Sequence, residues 1–365
     1  MAALLSELVD IESPSNHPPG VAALASRLGL ELESLDLRVE QLPVTGAGPI
    51  LRARREGASR PILLLGHLDT VWPLGTLAQR PVRIEGDRLS GPGAYDMKGG
   101  LVVVVFALRA LHARGERPPV TVFFTPLEEV DCGPYREVME REMLSTAAVL
   151  DFEPAWPGGG VKTERKGSGS FVLTVHGVAS HAGADLSRGA NAILEMARLC
   201  LETTALTDTA RGTSANVGLI RGGLRPNVVP DLAQAEIDVR FRTQEDGLWL
   251  EERLRALRPV DPRVRVSLDG GLHYPPLERT PSVVRLYETA REVAAQMDLP
   301  LSEVSTGGAS EASFAGALGL PTLDGLGPDG DGAHAVDEHV LIRSLPERAA
   351  LTAGLLRRLA GGTSG

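Results

Sequence analysis

The sequence predicts an α/β fold, a mixed sheet flanked by helices, with a smaller α+β domain inserted into it. Three observations predict this. Short, bulky, uncharged runs such as PILLL at 61–65 and PVTVFFT at 119–125 read as strands buried on both faces, and helical patterns alternate with them. Histidines and acids stand directly after those runs, where ligands gather in open α/β sheets. Between about 167 and 272 the character changes to strand, helix, strand, strand, helix, strand. There the alternation in AEIDVR at 235–240 marks a sheet with only one face buried. The expected division is 1–166 with 273–365 as the larger domain and 167–272 as the insert. The insert is expected to hold a four-stranded antiparallel sheet and two helices.

The chain has 365 residues, 43% of them hydrophobic, enough for a sizeable core and more than one domain. A formal charge of −10 argues against a nucleic-acid surface. The two cysteines, Cys132 and Cys200, have no metal-like spacing and fit a reducing compartment. No apolar run reaches the ~18 to 20 residues of a membrane span, and the first residues carry no basic signal region. A cytoplasmic protein with no membrane partner is expected.

Taken in order, the first helix ends near the turn-rich ESPSNHPPG at 12–20, and a second covers about 21–30. A strand pair follows over 31–55, then the buried strand at 61–66. Directly after it, GHLDT at 66–70 puts His67 and Asp69 two residues apart, on one face of an extended chain. Such a pair is a metal ligand with its orienting carboxylate, a catalytic pair, or a strand-end histidine bonded to a turn. A long loop and a hairpin lead to GPGAYDMKGG at 91–100 and the helix 101–114. Asp96 in that glycine-rich loop reads as a helix cap, a metal ligand or a neighbour of phosphate.

The strand at 119–125 runs into Glu128 and Glu129, adjacent carboxylates that repel unless a cation or proton resolves the conflict. The apolar stretch 147–152 runs into Glu153. A late strand at 319–325 enters a glycine-rich loop with His334. Histidine and carboxylate donors without cysteine suit Zn2+, with Mn2+ or Co2+ as alternatives. The surplus of carboxylates argues for two metals sharing a bridge. In the insert, strands are expected near 171–176, 215–221, 233–242 and 264–268, and helices near 190–202 and 247–258. The larger domain resumes with a helix at 281–297 and ends with one at 346–359.

The motifs GHLDTV, GPGAYDMKGG, TPLEE at 125–129, DFEP at 151–154 and GAHAVDE at 332–338 together resemble a known family. It is the dinuclear zinc amidohydrolase family of aminoacylase, acetylornithine deacetylase, succinyl-diaminopimelate desuccinylase and glutamate carboxypeptidase. Their order covers nearly the whole chain. HLDTVWPLGT at 67–76 and GGAS at 307–310 are most similar to the glutamate carboxypeptidase branch. Two departures stand out: Val130-Asp131-Cys132 precedes Gly133 where the family has a glycine soon after the two acids, and Glu311 stands where aspartate is usual.

The resemblance implies a zinc-peptidase catalytic domain and a lid or dimerisation insert. It implies that His67 and Glu153 bind one metal, Glu129 and His334 the other, and that Asp96 bridges them. Asp69 would orient His67, and Glu128 would be the general base; spacing alone does not separate the roles of Glu128 and Glu129. His181 would donate to the substrate carbonyl in a partner subunit's active site. Asn227 and Arg240 would grip a substrate carboxylate, and Gly307 and Gly308 would line the pocket. The implied activity is zinc-dependent hydrolysis of an amide beside a free carboxylate by a homodimer. Release of C-terminal glutamate is the first reading and N-acyl-amino-acid deacylation the second.

Overall fold

The structure, a computed structural model, describes residues 1–361. The chain forms two compact units. One comprises Met1–Glu164, Arg279–Ser305 and the chain from Phe314 onward; the other comprises Arg165–Glu278 and Thr306–Ser313. The short segment 306–313, expected with the larger domain, groups with the second unit.

The first unit is built on a six-stranded sheet in the order Arg38–Leu42, Ile50–Arg55, Val120–Thr125, Ile62–His67, Ala148–Asp151, Thr322–Leu323. The first two pairings are antiparallel and the last three parallel, so the sheet is mixed. The central strand is buried at all six positions, because helices cover both faces of its parallel half. Its neighbours end level with it: His67 lies opposite Thr125, and Leu65 opposite Asp151. Everything after those residues emerges at one end of the sheet.

The helix Gly99–Ala113 is almost wholly buried and packs against the helix Ser344–Gly361, which also packs on Pro281–Ala295. Glycine is required at its start, since a Cβ on Gly100 would lie 2.0 Å from the Phe152 carbonyl oxygen. Pro281 opens its helix behind Thr280, whose hydroxyl accepts the Val283 N–H as a cap.

The second unit is the expected four-stranded antiparallel sheet with two helices. Its order is Ser214–Gly222, Leu232–Phe241, Gly167–His176, Arg265–Tyr274. Ala233, Ala235, Ile237, Val239 and Phe241 alternate into a separate core with Met196, Leu199, Leu250 and Leu254 of the helices Ala192–Thr204 and Gln244–Arg255. His273 and His339, whose flanking glycines and acids predict loops, sit in strands instead: His273 in Arg265–Tyr274 and His339 in His339–Leu341. Strand pairing overrides that composition. Among the described residues no helix is long and apolar enough to cross a membrane.

Candidate metal centre

His67 is the last residue of the central strand and is 1% exposed. Its Nδ1 lies 3.0 Å from the backbone oxygen of Asp69 and 3.5 Å from that residue's Oδ1. Its Nε2 faces Asp96 Oδ1 at 3.2 Å and Glu153 Oε1 at 3.5 Å. Asp69 does more than neighbour the imidazole. Its carboxylate accepts the Ser15 hydroxyl at 2.7 Å and the backbone N–H groups of Glu128 and Glu129 at 3.1 and 3.3 Å. The backbone of Asp69 thus holds the ring while its side chain holds the turn that carries both acids.

Asp96 lies in a π-helical turn, Ala94–Lys98, and breaks helical geometry at φ −114°, ψ 96°. The following helix is capped at Lys98 with no side-chain cap, so Asp96 is not its cap. Its two oxygens divide between two imidazoles: Oδ1 toward His67 Nε2, Oδ2 toward His334 Nε2 at 3.3 Å. His334 also lies 3.1 Å from Glu129 Oε2. It sits in the left-handed region at φ 63°, two residues after Gly332 at φ 81°. A non-glycine residue held there costs energy and occurs where surrounding structure dictates it.

The electrostatics show what the cluster lacks. Burial opposes charge on His67, yet Asp69 and Asp96 outweigh it and raise its pKa well above the ordinary value. Asp96 and Glu129 raise His334 to about 10. Burial also opposes charge on Asp96, but His334 and His67 hold its carboxyl far below the usual range. Burial pushes Glu129 up against the pull of His334. Glu129 Oε1 is buried with no hydrogen-bond partner among the described residues. Protons are thus drawn onto two imidazoles that share one carboxylate, where divalent cations would replace them. The donors form two overlapping groups, His67–Asp96–Glu129 and His67–Glu128–Glu153, each with ligand atoms within 4.8 Å of one another. This set fits a dinuclear zinc site.

Three residues that the sequence reading left out support this cluster. Ser15 anchors Asp69, as above. Lys98 is buried, donates to the Ile11 carbonyl at 2.7 Å, and is lowered by burial to about 7. Glu338, raised by burial against the pull of nearby N–H groups, accepts hydrogen bonds from Trp72 and from the Asp96 loop. Glu338 and Lys98 had a visible signal, as letters of the GAHAVDE and GPGAYDMKGG motifs; Ser15 had none.

The remaining candidates belong to the second unit. His181 is exposed, and its Nδ1 accepts the N–H groups of Gly183 and Ala184, both at 3.1 Å. With Nδ1 accepting, Nε2 is the ring's available donor. Asn227 is exposed and its backbone carbonyl accepts from Ala182 N–H at 3.1 Å. Arg240 is half-buried and forks onto Asp238 through two contacts of 3.0 Å, so an internal carboxylate occupies its guanidinium here. The Gly308 carbonyl accepts from Arg165 at 3.1 Å, and Gly307 faces open space.

Residues 63–358 match peptidase family M20/M25/M40. Carboxypeptidase G2 of Pseudomonas sp. (strain RS-16) is 32% identical over 98% of this chain and 89% of its own length. A succinyl-diaminopimelate desuccinylase of Xanthomonas oryzae pv. oryzae is 31% identical over 83% of this chain and 85% of its own. Among solved structures, aminopeptidase PepT from Bacillus cereus superposes with a TM-score of 0.78 at 19% identity, covering 98% of this chain and 97% of that one. An M20 family metallo-carboxypeptidase from Sulfolobus solfataricus superposes at 0.75 and 18%, covering 97% and 98%. These structures share the fold.

Proposed function

The chain belongs to peptidase family M20/M25/M40 and is a metal-dependent hydrolase of that type, and we propose that it is a carboxypeptidase releasing C-terminal glutamate or a related amino acid from N-acyl or peptide substrates. The observation that carries the reading is Asp96, with one carboxylate oxygen within 3.3 Å of each of two imidazoles from distant segments. The likeness to a carboxypeptidase over 98% of the chain supports the branch.

In this reading His67 and Glu153 would hold one zinc ion and Glu129 and His334 the other, with Asp96 serving both. Bound zinc lowers the pKa of water and polarises a carbonyl. Glu128 takes the proton from water and delivers it to the leaving nitrogen. Asp69 keeps Glu128 in place through its backbone N–H. The outward Nε2–H of His181 stabilises the oxyanion, acting in the partner subunit of a homodimer. Arg240 and Asn227 take the substrate carboxylate, the guanidinium exchanging Asp238 for it. Gly307 and Gly308 line the pocket. Dimerisation is supported by the edge strand Ser214–Gly222 with exposed Leu219 and Ile220, and by exposed Ile193, Leu194 and Leu201 on the helix Ala192–Thr204. Two free cysteines support a cytoplasmic setting.

The test is hydrolysis by the zinc-loaded chain of N-acyl-glutamates, a pteroyl-glutamate, dipeptides, N-acetyl-ornithine and N-succinyl-diaminopimelate. Glutamate release that chelator abolishes and zinc restores is the expected result. The likeness to a desuccinylase favours deacylation as the second reading. Preference for the acetyl or succinyl compound would replace the first reading by it.

A further inference from the structure

We propose that Glu338 is a positioning residue of the metal centre, a carboxylate that binds no metal but pre-sets the loop carrying Asp96; the proposal rests on the metal reading above. Glu338 is 1% exposed. Its Oε1 accepts the backbone N–H groups of Tyr95 and Asp96 at 2.9 and 3.0 Å. Its Oε2 accepts the Gly93 N–H at 2.9 Å and the Trp72 indole N–H at 2.7 Å. A carboxylate so deeply buried is costly unless fully hydrogen-bonded, and four donors satisfy it.

The donors decide what this carboxylate is for. Three are consecutive-turn amides of the loop that presents Asp96, and that loop departs from helical geometry at Asp96 itself. These are N-cap and first-turn N–H groups, which have no partner within the turn itself, and Glu338 accepts them. Gly93 is in the left-handed region at φ 72°, and a Cβ there would lie 2.4 Å from Thr70 Cγ2. Glycine is thus required at this turn. The fourth donor, Trp72, belongs to the loop that follows His67, and Arg80 stacks over its ring at 3.7 Å. Glu338 itself lies four residues after His334 and directly before the strand His339–Leu341, which pairs with Arg88–Ser90. One side chain therefore joins the segments that deliver His67, Asp96 and His334. Asp96 must face two rings at once, and a small rotation of its backbone would lose one of them. Residues that orient metal ligands without touching the metal typically contribute about 10- to 100-fold in metal affinity.

Glu338→Gln keeps the side-chain volume but turns an NH2 toward N–H donors. Titrating zinc into the metal-free variant, followed by calorimetry, should show affinity about 10- to 100-fold weaker than the wild-type chain. With cobalt in place of zinc, the visible spectrum should change, and kcat should fall while KM holds. A folded glutamine variant with wild-type zinc affinity and cobalt spectrum would overturn the proposal. A second measurement needs no variant: amide hydrogen exchange at Gly93, Tyr95 and Asp96 in the metal-free wild-type chain. Protection before zinc is added is expected. Rapid exchange there, slowed only by zinc, would overturn the proposal, since the loop would then be set by metal and not by Glu338. A wild-type chain that takes up no zinc yet protects these amides would refute the metal reading, and with it a role at a metal centre, while leaving Glu338 as what sets the loop.

Discussion

The two sheets hold their functional candidates in opposite ways. At the end of the six-stranded sheet, His67, Asp69 and Glu153 are buried, and each carboxylate is tied to imidazoles or backbone N–H groups. On the four-stranded unit, His181 and Asn227 are exposed, and Arg240 rests on Asp238 beside it. The first arrangement is over-determined: removing one group leaves several others unsatisfied in a low-dielectric place. The second is more exposed: His181 accepts two neighbouring amides, the Asn227 backbone accepts one, and Arg240 forks onto Asp238. The comparison teaches that His67, Asp69 and Glu153 are locked into the buried end of a sheet, while the candidates on the second unit stand at exposed or half-buried positions.

The largest effect should come from Glu128→Gln, which sharpens the contrast between metal holding and proton transfer. Activity should fall by about 10² to 10⁴ with zinc content unchanged, by turnover and metal analysis. Near-full activity would remove Glu128 from proton transfer. Next, Leu64→Ala in the central strand, where Leu64 is fully buried, should lose about 2–5 kcal/mol in urea unfolding. Leu224→Ala, at 93% exposure in the second unit, should stay within ~0.5 kcal/mol. Equal losses would break the comparison.

Arg240→Ala should weaken binding of the substrate carboxylate by about 1.5–3 kcal/mol, seen as a raised KM with kcat retained. A lowered kcat at unchanged KM would place Arg240 with the chemistry instead. The smallest expected signal is electrostatic. His334, raised from 6.5 to about 10, is protonated at neutral pH in the metal-free chain. Its charged ring stabilises that fold fully below about 6.5 and the contribution is lost as pH rises through about 10. If His334 holds zinc as proposed, zinc displaces this proton, and zinc affinity should rise with pH across that window. Calorimetry in buffers of different ionisation enthalpy should record the release, and a pH-independent affinity would contradict it.

Much of this was legible in the sequence. Period-two alternation in AEIDVR and the charge-free run PILLL each report burial directly, and both sheets follow from such patterns. The residues His67, Asp96, Glu128, Glu129, Glu153 and His334 stood out because acids and imidazoles rarely follow strand ends in so many segments at once. Less legible was whether Asp96 capped a helix, since an N-cap and a ligand share the same residue type and the same place before a helix. Asp69 shows a different limit. Its nearness to His67 was readable, but its bonds to Ser15, Glu128 and Glu129 join segments far apart in the chain. The same holds for the segment 306–313 that joins the second unit.

The sequence by itself determined which side-chain types stand beyond which strands, because side-chain period and strand length are local properties of the backbone. Tertiary structure alone decided which oxygen of Asp96 meets which imidazole, and that Glu338 closes on three amides of its loop. Hydrogen-bond geometry is satisfied only within a few tenths of an ångström, and that tolerance is met by packing between segments that no local pattern relates.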